Sequence, residues 1–276
     1  MNLDGKVAIV TGASRGVGAA AAELLAQRGC RVACAARATD ESPLPIPGTI
    51  DATVRRISDA GGKAVAIPTN LAVDDEVVGM VATTVDCFGQ VDVLVNNAAI
   101  TFPGDLDLPM KRFDLVMQVD LRAPLLAIEA VVPAMKRRRE GAIVNVSSVA
   151  GLNYIPGLMA YGMAKAALEH LTVSAAHQLA PFGIAVNTFR IDIPVASEGF
   201  VFNMPDADTS DWEPSEVAAE GIVWMLEQPS SYTGHNQGMA KLRAEHGIMP
   251  SRAARAHTQQ SRLVTETHLR PVTDAR

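Results

Sequence analysis

A phenol and an ammonium stand four residues apart in the run Tyr161-Gly162-Met163-Ala164-Lys165, and Ser148 precedes the tyrosine by thirteen residues. On a helix, positions i and i+4 lie one above the other, so the Lys165 nitrogen can approach the Tyr161 oxygen within a few ångströms. At a separation of about 5 Å and an effective dielectric of about 20, the cation favours phenolate by about 3 kcal/mol, roughly two pKa units down from about 10. A phenol tuned in this way can give a proton to a developing alkoxide or take one from an alcohol. Of the neighbouring serines, the spacing selects Ser148 to hydrogen-bond the same substrate oxygen, while Ser147 reads as the end of a strand. A Y-x-x-x-K pair is short enough to recur by chance on any helix. The elements that hold it decide its meaning.

Runs rich in β-branched residues recur at 7–11, 31–36, 64–68, 92–96, 142–147 and 184–189, and helical-length segments separate most of them. Strands alternating with helices are the pattern of a parallel sheet covered on both faces, which predicts a doubly wound, Rossmann-like α/β fold in a single domain over residues 1–249. Ligands in such sheets bind at the carboxyl ends of the strands. Two stretches break the rhythm: a proline-rich insertion at 39–49 and a long irregular segment at 192–214. The second is expected to form a lid over substrate, with Phe200, Phe202, Met204 and Trp212 as its apolar face. From residue 250 to 276 the chain turns polar and arginine-rich, as expected of a poorly ordered tail.

The first strand runs into Thr11-Gly12-Ala13-Ser14-Arg15-Gly16-Val17-Gly18 and then an alanine-rich helix. Gly12 permits a tight turn, Gly16 lets backbone approach a diphosphate, Gly18 allows close packing, and the helix N-terminus offers amide donors and a positive dipole end. A dinucleotide is the natural guest. An acidic residue at the end of the second strand would select the ribose hydroxyls of NAD, but Ala35-Ala36-Arg37 stands there. Arg37 and Arg15 can flank a 2′-phosphate, so NADP(H) is expected over NAD(H), with NAD(H) still possible.

TGASRGVG, the Asn96-Asn97-Ala98-Ala99 run, Ser148 and the YGMAK run, in this order and spacing, resemble the short-chain dehydrogenase/reductase family in its single-domain form, over about residues 1 to 240. The resemblance implies a nicotinamide cofactor and hydride transfer to or from a carbonyl or alcohol carbon. It implies cofactor contacts from Gly12, Ser14, Arg15, Gly16, Val17 and Gly18, from Asn70 and Leu71 around an adenine, and from Asn97, Ala98 and Ala99 beside the adenosine ribose. Tyr161 and Lys165 would meet the nicotinamide ribose. Asn70 stands where the family more often has an aspartate, and its amide can still meet the adenine edge; two further departures bear on the chemistry. Asp120 stands where many members carry an asparagine that holds a water next to the lysine. An ionised Asp120 cannot donate to that water, and its charge would raise the lysine, so it enters the catalytic set as an altered relay. After the sixth strand, where members usually have Pro-Gly, this chain reads Arg190-Ile191-Asp192-Ile193-Pro194. The loop is expected to take another path, with Ile193 as the nicotinamide-side contact.

The leading expectation is therefore an NADP(H)-dependent oxidoreductase acting on a moderately apolar ketone or secondary alcohol, with Tyr161 as general acid/base. The alternative is a catalytically impaired dinucleotide-binding sensor or scaffold of the same fold. A formal charge of −6 and a pI near 5.5 argue against nucleic acid, and the basic run Lys136 to Arg139 reads as a solvated helix end. Cys30, Cys34 and Cys87 lack metal-type spacing and read as reduced core residues, so no metal is expected. With neither signal peptide nor membrane span in view, a cytoplasmic protein is expected. The segment 160–180 is apolar around most of its circumference, which predicts a homo-oligomer, a dimer or homotetramer.

Overall fold

The computed structural model of the chain describes residues 1–203 and 206–251. Its strands are β1 (Val7–Thr11), β2 (Arg31–Ala36), β3 (Lys63–Pro68), β4 (Val93–Asn96), β5 (Gly141–Ser148), β6 (Ile184–Ile191) and β7 (Asn236–Gly238). All pair in parallel, in the order β3-β2-β1-β4-β5-β6-β7. The winding reverses between β1 and β4, so the loops that leave these two strands diverge and open a crevice at their carboxyl ends. The helices are α1 (Gly16–Gln27), α2 (Ile50–Asp59), α3 (Asp74–Phe88), α4 (Met110–Met117), α5 (Ala123–Arg138), α6 (Met159–Leu179), α7 (Glu198–Asn203), α8 (Ser215–Glu227) and α9 (Met239–His246).

Side chains alternate across a strand, and here both faces are apolar. Ala8, Val10, Val32, Cys34, Val93 and Val95 pack with α1 and α8 on one side. Ile9, Ala33, Leu94, Ile143 and Val186 pack with α3, α5 and α6 on the other. The six strands expected from β-branched runs are present. The seventh was missed, because Asn236-Gln237-Gly238 has no strand-like composition and is positioned by side chains. Asn187 donates to Tyr232 O at 2.8 Å and accepts from His235 N at 3.0 Å, docking the backbone alongside β6.

The basic run does close α5, with Arg139 in the left-handed conformation at φ 55°. It is more engaged than a solvated helix end. Lys136 lies 4.6 Å from the Phe182 ring centroid and Arg139 donates to Pro181 O at 2.7 Å. Cys30 and Cys34 are core residues, their thiols pushed up to about 12 first by burial. Cys87 is exposed on the outer face of α3, which corrects its expected place in the core. Among the described residues, no helix is long and apolar enough to cross a membrane, and no cluster of His, Cys, Asp or Glu is arranged to hold a metal ion.

Neither irregular stretch hangs loose. The 39–49 insertion folds back over the glycine loop, where Pro47 and Gly48 carbonyls accept from Arg15 Nε and Nη2, both at 2.8 Å. It ends in Thr49, which caps α2 by accepting from Ala52 N at 3.1 Å. The 192–214 segment is clamped at its base: Glu213 N donates to Pro194 O, and Ala196 N to Glu213 O, both at 2.9 Å. Beneath the clamp the Glu213 carboxylate is fully buried, 2.9 Å from Arg243 of α9. Above it, α7 carries exposed Phe200 and Phe202, with Phe200 against Trp212 at 5.2 Å between ring centroids. Met204, and the tail from 252 onward, lie outside the described residues.

Candidate active site

Strand β5 delivers two serines in opposite directions. Ser147 is buried and donates to Glu169 Oε1 at 2.8 Å, and Glu169 in turn receives Nε and Nη2 of Arg190 at 2.8 and 2.5 Å. Ser148 emerges on the other side, accepts from Ala150 N at 3.2 Å and stands close enough to the Tyr161 phenol to favour its ionised form. Helix α6 supplies the rest. Lys165 is 2% exposed, lies 5.4 Å from the Tyr161 ring centroid and donates to Val146 O at 2.9 Å. The backbone of β5 thus fixes the ammonium while the end of β5 fixes the serine. Ser148, Tyr161 and Lys165 are brought together at the carboxyl end of the sheet.

Asp120 joins them from a π-helical turn, Gln118–Arg122, between α4 and α5. The wide turn aims its carboxyl inward, where Oδ1 accepts from Ile100 N at 2.9 Å and Oδ2 is buried without a hydrogen-bond partner. Burial raises Asp120 to about 7, against the opposing pull of Lys165 and of the Ile100 amide. Lys165 is lowered first by its own burial, with Asp120 raising it in part. The Tyr161 phenol is pushed up, first by burial and then by the Asp120 charge, and the Ser148 hydrogen bond only partly offsets this. This reverses the sequence expectation of a lowered phenol. Helix spacing sets only the distance between the two groups, whereas burial penalises the phenolate and the Lys165 ammonium is turned toward Val146 O.

At the cofactor end, Thr11 is a residue that the motif reading passed over as framework. Its hydroxyl accepts from Asn97 N at 3.0 Å and Ala98 N at 3.1 Å, and its carbonyl accepts from Asn97 Nδ2 at 2.9 Å, which ties the Asn97–Ala99 loop to the glycine loop. Gly12 turns at φ 70°, and a Cβ on Gly18 would collide with Gly12 O and Asn97 Nδ2. Helix α1 begins without a side-chain cap, because Arg15 stands at the cap position, and its first turn contains no acid. Uncapped amides, a helix dipole and two arginines fit the diphosphate and 2′-phosphate of a dinucleotide. Arg37 is exposed, and its charge reaches Arg15. It lines a cleft of about 490 Å³ with Thr39, Asp40, Glu41 and Asp51, and Asp40 there is neutralised by Arg55 at 2.5 Å.

Ser14 and Leu71 are buried, and Val17 packs into the core beneath the loop. Asn70 Oδ1 accepts from Ala72 N at 3.1 Å. Ile193 is 1% exposed and its side chain belongs to the core, so only its backbone can border the site. Asp192 turns to α9 and accepts from Ala240 N at 3.0 Å. Glu198, which the sequence reading did not single out, stands over Gly16. A lone acid in a loop carries no signal without the fold.

The short chain dehydrogenase family profile matches residues 6–192. A 3-oxoacyl-[acyl-carrier-protein] reductase of Staphylococcus aureus is 40% identical over 204 residues, 73% of this chain and 77% of that protein. The crystal structure of a putative dehydrogenase from Xanthomonas campestris superposes with a TM-score of 0.80 at 31% identity, covering 91% of this chain and 93% of its own. A metagenomic short-chain oxidoreductase, solved in complex with NADP, gives a TM-score of 0.71 at 29% identity and covers 86% of this chain and 96% of its own.

Proposed function

Since the chain belongs to the short-chain dehydrogenase/reductase family of oxidoreductases, we propose that it is an NADP(H)-dependent enzyme interconverting a moderately apolar ketone and its secondary alcohol. The observation that carries this reading is the placing of Ser148 beside the Tyr161 phenol, with the buried Lys165 ammonium 5.4 Å from the same ring, at the carboxyl end of the sheet. The nicotinamide, when bound, supplies or accepts the hydride. Ser148 then orients the substrate oxygen, and Tyr161 gives that oxygen its proton during reduction or removes it during oxidation. Lys165, anchored on Val146 O, holds a positive charge beside the phenol and offsets the negative charge left when the proton departs. Gly12 to Gly18, Asn70, Asn97 and the backbone at Ile193 would hold the dinucleotide.

The loops leaving β4, β5 and β6 carry exposed Leu106, Leu152, Tyr154, Phe200 and Phe202, which supports an apolar substrate. The S. aureus relative is named for a 3-oxo substrate, which agrees with a ketone. The structural neighbour solved with NADP supports the cofactor, as do Arg15 and Arg37. Met163 on α6 and Leu125 on α5 remain exposed and support a homo-oligomer, which light scattering tests. Direct titration tests the cofactor: NADPH should bind more tightly than NADH, and Arg37→Ala should lose about tenfold for NADPH while sparing NADH. Tighter NADH binding, or an unchanged preference in the variant, refutes the assignment. Asp120, whose charge opposes Tyr161 ionisation, favours a second reading, a dinucleotide-binding protein with little turnover. NADPH binding without oxidation across a broad carbonyl panel selects that reading.

A further inference from the structure

The N-terminus of α1 faces an acid from its own chain. Gly16, the first residue of that helix, has φ 57°, and a Cβ there would stand 3.0 Å from Ser197 Cβ and 3.3 Å from Glu198 Oε2. The Glu198 carboxylate therefore lies beside Gly16, at the start of a helix whose N-terminus carries no side-chain cap. Arg15 registers it: burial lowers the guanidinium first, the Glu198 charge raises it, and Arg37 lowers it again. Anion, helix dipole and arginine make a mutually favourable set. A diphosphate drawn to the amides of the first turn of α1 brings negative charge close to this carboxylate, and two anions there repel.

We propose that Glu198 is a built-in competitor for the phosphates of the dinucleotide, so that cofactor binding requires its carboxylate to withdraw from the glycine loop. The proposal rests on reading that loop as the dinucleotide site. The elements around Glu198 allow the withdrawal. Its side chain is exposed, α7 is only six residues long, and Phe200 and Phe202 of that helix are themselves exposed. Below α7 the segment is fixed by the backbone clamp between Pro194, Ala196 and Glu213. The hinge is thus confined above a rigid base, and the motion passes to Trp212 through its contact with Phe200. Cofactor affinity and the position of the substrate-side segment become linked through one charge.

NADPH is titrated by calorimetry into the full-length wild-type protein and into Glu198→Gln and Glu198→Ala variants, with tryptophan emission followed in parallel. Because the residue is exposed, all three should fold, with the variants melting within a few degrees of wild type. Removing the charge should tighten NADPH binding by about fivefold in both variants at low salt. The advantage should shrink toward none at about 0.5 M salt, where the Debye length falls below about 5 Å. Wild-type emission should change on binding as Trp212 is disturbed. Equal affinities in all three proteins overturn the proposal and leave the dinucleotide reading intact. Weaker binding by Glu198→Gln, or a gain confined to Glu198→Ala, also overturns it, since the first makes Glu198 a ligand and the second makes the effect steric. Failure of every protein to bind NADPH or NADH overturns the dinucleotide reading and this proposal with it.

Discussion

Replacing Asp120 by asparagine should stabilise the protein in a pH-dependent way. The carboxyl titrates near 7 in the fold, raised by burial against the opposing effects of Lys165 and the Ile100 amide. A free aspartate titrates near 3.9, so the difference of about three units corresponds to about 4 kcal/mol. Between pH ~4 and ~7 the folded chain keeps a proton that the unfolded chain has lost, and wild-type stability falls by about 1.4 kcal/mol per pH unit as pH rises. Below that window both states are protonated and above it both are ionised, so the slope vanishes. An asparagine at 120 has no proton to lose and fits the same space. Urea unfolding of wild type and Asp120→Asn at pH 5, 6, 7 and 8 should show the variant's advantage growing up to neutrality and then levelling. The kinetic corollary follows from the Asp120 charge that raises Tyr161: without it the phenol falls, and the pH profile of alcohol oxidation moves toward acid. An advantage that is constant across pH refutes the assignment of the near-neutral proton to Asp120.

Tyr161→Phe removes the only phenolic proton at the Ser148 hydroxyl and should reduce turnover by at least about a hundredfold while NADPH binding stays within about twofold. Retained turnover takes Tyr161 out of the mechanism. Glu213→Ala should cost about 3–5 kcal/mol in urea unfolding, because it strands Arg243, 10% exposed, without its buried partner. A cost below about 1 kcal/mol would show that solvent reaches Arg243 and that the base of the substrate-side segment is not fixed by this pair.

Much of the sheet was legible because its signal is local. β-Branched runs such as Val7–Thr11 and Ile184–Phe189 are buried on both faces and read directly as parallel strands. The glycine loop and the Tyr161–Lys165 pair were legible by spacing, which the helix and the strand-to-helix turn convert into proximity. What escaped depends on partners far along the chain. Strand β7 is docked by Asn187 and Thr233, and Arg15 is held by the carbonyls of an insertion more than thirty residues away. The sign of the Tyr161 shift escaped for a related reason. A helix spacing reports how far Lys165 is from the phenol, but it does not report burial or the arrival of Asp120 from a separate turn.

Asp192 shows how such a long-range partner accommodates the largest departure from the family pattern. A glycine after the sixth strand lets backbone approach a ligand, and an aspartate there would put a charge at the same spot if its side chain faced the site. It faces α9 instead, accepting from Ala240 N at 3.0 Å and so capping a helix whose own cap residue, Gly238, has no side chain to offer. The exchange is obligatory in both directions. A Cβ on Gly238 would collide with the Asp192 carboxylate, so any larger residue at 238 drives that carboxylate out of its seat. Without Asp192, the first amides of α9 lose the acceptor that replaces a cap. Burial raises the Asp192 carboxyl first, and the Ala240 amide offsets it. The acid that stands in place of the family's Pro-Gly is thus engaged in starting α9.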